Sequence, residues 1–386
     1  MEWILNIIHY VIPFLVLLGV LVFVHEFGHF IVARSLGVSV SAFSIGFGKE
    51  LWSRTDKKGT VWKISVIPLG GYCQFLGDAD ESSSTSDVDL SKYTEEEQKH
   101  LFATQTPYKK LAIAIAGPLF NYLFAFITFF GLFYFVGSYD IPPIVSEVIK
   151  ESPAEKAGII KGDKILEINN QKINDWSDIS KEVSIAVNDV NLKIERNNQQ
   201  LVLTVPLKDM EYAFDESEKP IKRRMIGIKG EAKQFKIIKD NFNFGASVKK
   251  AAEEVYNVTD MTLRGVGQML TGERSGEDVG GIIRIAEMSG DISRTRGILD
   301  FLYFMALLSI NLGLINLFPI PVLDGGHVVI YLLEIVSRRE LNTKFRDYLF
   351  KIGLGFILFL MVFATWNDIK HLITCLLYTS PSPRDR

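Results

Sequence analysis

The chain has 386 residues, of which 48% are hydrophobic and 12% aromatic, and its formal net charge is −3. This composition is typical of a polytopic membrane protein with a soluble part, and it gives no indication of nucleic-acid binding. The two cysteines, Cys73 and Cys375, lie at unrelated positions, which argues against a disulfide framework and against a thiolate metal site.

The first predicted element is a membrane-spanning helix at about residues 4–34. The chain from Ile4 to Val24 is mostly Leu, Ile, Val and Phe, and a helix needs about 20 such residues to cross a ~30 Å hydrocarbon core. A signal peptide is the alternative, but no basic segment precedes the run and no small-residue cleavage site follows it. We therefore expect the helix to remain in the mature protein, within a first segment of residues 1–36.

Three ionisable residues lie at the end of this run: His25, Glu26 and His29. An ionisable side chain at bilayer depth costs roughly 2.5–3.5 kcal/mol on insertion scales, so these side chains need a partner, and a metal ion is one candidate. His25 and His29 are four residues apart and share one helix face, as two ligands of one ion require. Glu26 lies beside that face, where it could take a proton from water at the metal. The alternative is that both histidines are interfacial residues at a helix end.

Nearby residues do not supply a convincing third ligand. Soluble proteins with the H-E-x-x-H pattern often have a histidine six residues further on, but that position is Ser35 here. Glu50 follows Gly46 and Gly48 in a stretch that predicts a loop or a strand. We therefore interpret Glu50 as a surface residue.

A better candidate lies in NLFPIPVLDGGH, residues 316–327, which interrupts a later apolar run. Pro319 and Pro321 each remove a backbone donor and break the helix, which a bilayer tolerates only where protein or a cavity supplies replacement hydrogen bonds. Asp324 therefore lies at a broken membrane helix. Two plainer interpretations stay open: Asp324 as the N-cap of the next helix, and Asn316 as an ordinary contact between helices.

HEFGH in a first membrane helix, paired with N-x-x-P-x-P-x-L-D-G in a later one, resembles the site-2 protease family of intramembrane zinc metalloproteases, in particular bacterial regulator-of-sigma-E protease-like members with a single PDZ domain. GPLFN at residues 117–121 and PLGGY at residues 68–72 also match, so the resemblance extends to about Ile373. It implies a Zn2+ cofactor, with Glu26 as the catalytic base. It further implies a set of zinc ligands, His25, His29 and Asp324, and a set of residues beside the substrate, Asn316, Pro319 and Pro321.

Four apolar spans are predicted, at about residues 4–34, 111–136, 298–322 and 350–373. With their flanks, the last three form helical segments at residues 109–138, 298–336 and 337–374. Basic residues, which mark cytoplasmic loops, precede the second span and lie between the third and the fourth. We therefore expect both termini outside the cytoplasm, and the two motifs at the cytoplasmic ends of their helices.

Residues 37–108 are predicted to form a cytoplasmic-side β-hairpin region and an acidic loop. Residues 38–77 alternate polar and apolar side chains between glycines, and residues 61–76 predict a strand pair beside the site. An extended substrate could add to the edge of such a pair, although a purely structural hairpin at the membrane surface explains the pattern equally well. Residues 79–100 are acidic and rich in serine, which predicts a solvated, mobile loop.

Residues 143–208 are predicted to form an extracytoplasmic PDZ-like domain, because residues 152–173 resemble the beginning of that fold. The extracytoplasmic or interfacial segment 209–297 contains an amphipathic helix, which lies at the membrane interface or packs on the core. It also carries Arg284 at a place where the resemblance to the site-2 protease family implies a glycine–proline run. Residues 375–386 break the preceding pattern, and we exclude them as a non-native tail.

The predicted fold class is a polytopic α-helical membrane protein with about four transmembrane helices, a membrane-associated β-hairpin region and one inserted α+β PDZ-like domain. The predicted function is a zinc metalloendopeptidase in the bacterial inner membrane that hydrolyses peptide bonds within transmembrane segments. The resemblance implies substrates such as membrane-bound anti-sigma factors and remnant signal peptides, and peptide termini as ligands of the PDZ-like domain. A PDZ-bearing scaffold and a metal-binding transporter are the alternatives, but the first gives Glu26 no purpose and the second would need further polar residues along its helices.

Overall fold

A computed structural model describes residues 2–77, 90–139, 142–212, 221–230, 237–238, 243–273 and 280–379. The chain divides into two compact units, one formed by Met1–Phe129 with Glu277–Arg386 and the other by Phe130–Gly276. The first unit contains both motifs of the predicted metal site. The second contains the predicted PDZ-like segment.

Helices account for most of the first unit and strands for much of the second. The α-helices of the described residues are α1 (Glu2–Ser35), α2 (Glu95–Gln98), α3 (Pro107–Gly131), α4 (Pro153–Lys156), α5 (Trp176–Ile185), α6 (Phe244–Leu270), α7 (Ile282–Thr295), α8 (Ile298–Asn316), α9 (Asp324–Ser337) and α10 (Thr343–Thr379). The strands are β1 (Val40–Thr55), β2 (Val61–Phe75), β3 (Ser138–Tyr139), β4 (Val145–Val148), β5 (Lys164–Ile168), β6 (Gln171–Lys172), β7 (Val190–Arg196), β8 (Gln199–Val205), β9 (Lys208–Tyr212), β10 (Ile221–Met225), β11 (Ile228–Gly230) and β12 (Ile237–Ile238). Of the predicted acidic loop, residues 79–89 lie outside the described residues, and the rest includes α2.

In the described part of the chain, four helices are long and apolar enough to cross a membrane, as predicted: Ile8–Ser35, Pro107–Val136, Ile298–Asn316 and Lys344–Lys370. The prediction that the third span reaches residue 322 was wrong. α8 ends at Asn316, because Pro319 and Pro321 cannot donate helical hydrogen bonds, and α9 is a separate helix. α10 continues to Thr379, so the predicted tail begins as helix, and residues 380–386 lie outside the described residues.

β1 and β2 form an antiparallel ribbon in which both strands bend. Residues 42–45 of β1 pair on one side with residues 61–64 and on the other with residues 71–74. The prediction that the two halves of residues 61–76 pair with each other was therefore wrong, since both halves flank the same segment of β1. The bend follows from Gly46, whose φ is +89° and whose backbone packs against the carbonyl of Ile67.

The turn of this ribbon is fixed to the end of α1 by Asp56. Its carboxylate accepts a hydrogen bond from Arg34 Nη1 at 2.7 Å, and others from the backbone N–H groups of Lys58 and Thr60 at 2.8 and 3.1 Å. The guanidinium of Arg34 also lies 4.9 Å from the ring centroid of Phe30. Burial would raise the pKa of Asp56, but these hydrogen bonds outweigh burial and lower the pKa to about 2.

The second unit contains a four-stranded antiparallel sheet in the order β6-β5-β7-β8. Its core includes Val145, Ile165, Leu192 and Ile226, none of which is more than 3% exposed. Ile226 lies beyond the predicted domain end at residue 208, and it reaches the core because β11 pairs with β4. The interpretation of this unit as a PDZ-like domain stays a prediction.

The amphipathic helix α6 packs against α5 of the same unit through two ion pairs. The Arg264 guanidinium donates two hydrogen bonds to Glu182, at 2.8 and 2.9 Å. The Lys181 ammonium lies 3.0 Å from a carboxylate oxygen of Glu254, which is largely buried. This arrangement matches the packing interpretation of α6, and its position relative to a membrane stays a prediction.

Arg284, for which the sequence offered no role, lies at the N-terminus of α7 beside a buried carboxylate. Asp368 of α10 is 2% exposed and accepts hydrogen bonds from the backbone N–H groups of Gly281, Ile283 and Arg284. The Arg284 Nε lies 4.0 Å from the same carboxylate. Asp368 thus satisfies helix-end donors that would otherwise stay unpaired, and it ties α10 to α7.

Substitution of Asp56 by Asn should destabilise the protein at neutral pH by about 1–3 kcal/mol, because charge-assisted hydrogen bonds in a partly buried site are weakened. The folded pKa of Asp56 is lowered, so its contribution is present above the unfolded value of about 4 and is lost as pH falls towards 2. The difference in thermal unfolding temperature between the variant and the wild type should therefore shrink over that range.

Glu50→Gln is the matched control, because Glu50 makes an exposed ion pair with Lys63 and should contribute little. Equal destabilisation by the two variants at neutral pH would contradict the account of the turn.

Candidate metal centre

α1 presents His25, Glu26 and His29 to one cavity of about 250 Å³. Helical periodicity places the two histidines one turn apart on one face, and they are only 9% and 8% exposed. Gly71 of β2 packs against this part of α1, since a Cβ there would lie 3.4 Å from Cγ of Glu26. The ribbon therefore forms a wall of the cavity beside the two histidines.

Asp324 reaches this cavity from the other end of the sequence, as the first residue of α9. The chain leaves α8 at Asn316 and turns sharply, and Gly325 and Gly326 allow the turn, because a Cβ at either would overlap the carbonyls of residues 317–320. Val322 has a φ of +136°, a region that β-branched residues rarely adopt, so the turn is strained next to Asp324. The N-cap interpretation of Asp324 was wrong, since Leu323 is the N-cap and no side chain caps α9.

The side chains of His25, His29 and Asp324 converge on one point. His25 Nε2 lies 3.1 Å from Asp324 Oδ2, and His29 Nε2 lies 3.5 Å from Asp324 Oδ1. The two Nε2 atoms are 3.4 Å apart, and one ligand atom from each residue lies within 4.8 Å of the other two. These spacings are suited to three ligands of one metal ion.

Helix α3 supplies the outer contacts of both imidazoles. His29 Nδ1 lies 2.8 Å from the carbonyl oxygen of Ile113, which can only accept, so Nδ1 carries a proton and Nε2 is the ring nitrogen that faces Asp324. The Asn121 amide lies 3.1 Å from His25 Nδ1. Gly117 makes room for the rings, because a Cβ there would overlap His29 and lie 2.9 Å from His25 Cε1.

The residues present fit a zinc ion on the chemistry of their donor atoms. Asp324 Oδ2 is buried and accepts no hydrogen bond from the described residues, although His25 Nε2 is close by. The Asn121 Oδ1 is likewise buried without a partner in the described part of the chain, and a half-turn of the amide lets Oδ1 accept a hydrogen bond from the protonated Nδ1 of His25. Both imidazoles then offer Nε2, and a cation satisfies the carboxylate.

The other predicted site residues divide into two groups. Asn316 lines the same cavity as His25 and Asp324. Pro319 and Pro321 are not among its lining residues, and the Pro321 carbonyl instead packs against Gly353 of α10. Glu50 is ion-paired to Lys63 on the ribbon, at 2.6 Å, in agreement with its interpretation as a surface residue.

Sequence reasoning missed part of the site. The Ile113 carbonyl is a backbone group, so no residue pattern marks it. Asn121 stands out only as part of the G-P-x-x-N match, which does not indicate its contact with His25. The aromatic residues Phe102 and Tyr331 also line the cavity, and single aromatic residues carry no sequence signal of their own.

Comparison with known proteins gives the family. Residues 13–360 match the profile of peptidase family M50. A protein of Agrobacterium fabrum is 37% identical over 365 residues, which is 94% of this chain and 96% of that protein. A protein of Rickettsia conorii is 38% identical over 94% of this chain and 99% of its own length, and one of Campylobacter jejuni is 34% identical over 96% of both.

Each of these relatives carries the provisional name of a zinc metalloprotease. The profile match covers most of the chain, including both motifs that form the candidate metal centre. The chain therefore belongs to peptidase family M50, the site-2 protease family, and is a zinc-dependent metalloprotease embedded in a membrane.

Proposed function

We propose that this metalloprotease cuts peptide bonds within the transmembrane segments of its substrates. The proposal rests on the position of the three candidate ligands relative to the apolar spans. His25 and His29 belong to the span Ile8–Ser35, and Asp324 follows shortly after the span Ile298–Asn316. A site built from such helices meets a peptide bond at bilayer depth.

His25, His29 and Asp324 are the proposed zinc ligands, and three protein ligands are typical of catalytic zinc sites. Bound zinc supplies Lewis acidity, which polarises the scissile carbonyl and lowers the pKa of water towards ~7. Glu26 lies in the same cavity, where it takes a proton from the attacking water and later gives it to the leaving amine. Asn316 lines the cavity, and its proposed role is to hydrogen-bond the substrate backbone.

The ribbon offers a way to hold the substrate in an extended form. A helical peptide bond is buried in its own hydrogen bonds, so a transmembrane substrate must unwind before it is cut. Residues 71–75 form the outer segment of the ribbon: they pair with residues 40–45 on one side, and no other described strand pairs with them on the other. An unwound substrate segment adds to this edge beside Glu26.

The orientation follows from the basic residues around the spans. Their distribution supports an orientation with both termini and the inserted unit outside the cytoplasm. The proposed location is the inner membrane of a bacterial cell. The cut then falls near the cytoplasmic ends of the helices. Suitable substrates are membrane-bound anti-sigma factors already trimmed outside, and remnant signal peptides.

The inserted unit controls entry instead of taking part in hydrolysis. As a PDZ-like domain it either recruits newly exposed peptide termini or excludes substrates that still carry a large external domain. We favour exclusion, because a folded obstacle selects by size and needs no sequence specificity. The scaffold alternative assigns no task to Glu26 beside the ligand set, and the transporter alternative would need further polar residues along its helices.

Glu26→Gln should abolish cleavage, with a loss of at least 10²–10⁴-fold in kcat, because an amide cannot accept the proton. Bound zinc should stay near the wild-type amount, since Glu26 is not a ligand. Cleavage of a purified single-span substrate and the zinc content measure the two quantities. Retained cleavage in this variant would remove Glu26 from the mechanism.

Asp324→Ala should lower bound zinc severely, because a three-ligand site loses its only carboxylate. Glu50→Ala is the matched control and should bind zinc as the wild type does. Metal analysis of both purified variants decides the point, and equal zinc in wild type and Asp324→Ala would overturn the ligand assignment.

Deletion of residues 143–230, replaced by a short flexible bridge, should allow cleavage of substrates that keep their external domain. The deletion extends to residue 230 because Ile226 and β11 belong to the core of the unit. The measurement compares trimmed and intact forms of one substrate in a variant that retains zinc. Slower cleavage of trimmed substrate, with intact substrate still uncut, would favour recruitment over exclusion.

A further inference from the structure

The cavity at the candidate metal centre continues into an aromatic wall that the mechanism does not use. Phe75 of β2 stacks on Phe102, with ring centroids 4.6 Å apart, and Phe102 meets Tyr331 of α9 edge-on at 6.5 Å. The His327 ring stacks on Tyr331 at 6.1 Å. All four residues line the cavity that His25 and Asp324 also line.

The aromatic wall is held in place from behind. Phe75 and Tyr331 are nearly buried, and Phe75 packs in a cluster with Phe30 and Ala33. The Lys110 ammonium donates to the Ala103 carbonyl at 2.7 Å and lies 5.9 Å from the centre of the Phe102 ring. A wall of fixed rings provides a shaped surface and loses little side-chain entropy on contact with a ligand.

The wall lies to one side of the metal centre, towards the C-terminal end of α1. Gly71 lies against Glu26, whereas Phe75, four residues along the strand, packs with Phe30 and Ala33 beyond His29. The ribbon edge therefore runs from the reacting groups to the aromatic wall. Because a strand rises about 3.3 Å per residue, a substrate added to this edge would place a side chain about four residues from the scissile bond against the rings.

We propose that Phe75, Phe102, Tyr331 and His327 form a specificity subsite for a large apolar or aromatic side chain of the substrate, at a position about four residues from the scissile bond on its cytoplasmic side. The inference rests on the proposed function, from which it takes the orientation of the chain. Among the described residues that line the cavity there is no Lys or Arg, and the two acids, Glu26 and Asp324, are engaged by the proposed mechanism, so a charged substrate side chain finds no available partner there.

The test uses the full-length protein with bound zinc and a panel of single-span substrates. The cut is first mapped by mass spectrometry, and the four residues on its cytoplasmic side are then varied, one at a time, among Ala, Leu, Phe and Lys. In the wild type, kcat/KM for Leu and Phe should exceed that for Ala and Lys by roughly tenfold or more.

Two variants change the subsite in opposite ways. Phe102→Ala removes part of the wall and should bring the ratio of Leu to Ala cleavage close to unity. Ala114→Leu adds bulk to the same cavity, which Ala114 lines, and should make Ala the preferred residue. Phe356→Ala is the matched control, since Phe356 lies exposed on α10 and should leave the ratio unchanged.

Zinc content provides the readout that separates specificity from folding. If Phe102→Ala loses zinc, Ala114→Leu decides the proposal, because it retains the wall. Equal cleavage of the whole panel by the wild type, or an unchanged ratio in the zinc-bound variants, would overturn the subsite alone. Failure of the zinc-bound wild type to cut any member would overturn the proposed intramembrane cleavage and the subsite with it.

Discussion

Two imidazoles and a carboxylate converge between apolar helices, and the surrounding structure depends on keeping them satisfied. Isolated ionisable groups at bilayer depth are costly, so His25, His29 and Asp324 need one another and a cation. Their ligand atoms lie within 4.8 Å of one another although Asp324 is about 300 positions from the two histidines in the chain. The break between α8 and α9 is the feature that permits this, because a continuous helix could not turn Asp324 into the cavity.

The third helix of the site, α3, contributes orientation without contributing a ligand. The Ile113 carbonyl fixes the proton of His29 on Nδ1, and the Asn121 amide is placed to do the same for His25. Gly117 leaves the space that both rings occupy. Such outer partners typically change metal affinity 10–100-fold when removed. The G-P-x-x-N stretch of α3 therefore belongs to the candidate metal centre, because Gly117 and Asn121 position the imidazoles.

Local sequence patterns were sufficient to predict the membrane spans and the three candidate ligands. Span lengths follow from apolar runs, the facing histidines follow from helical spacing, and Asp324 stands out as an acid beside two prolines. The path of the ribbon could not be predicted, because the bend at Gly46 brings both halves of β2 against one segment of β1. The partner of Arg284 was also hidden, since Asp368 approaches it only through the packing of α10 on α7.

The most direct test of the central claim is the position of the cut and its dependence on zinc. The purified protein in lipid bilayers is given a single-span substrate, and the fragments are identified by mass spectrometry with zinc present, chelated and restored. The account predicts a bond within the apolar span, cleavage lost on chelation and regained with zinc. A bond outside the span, or cleavage that persists without zinc, would contradict it.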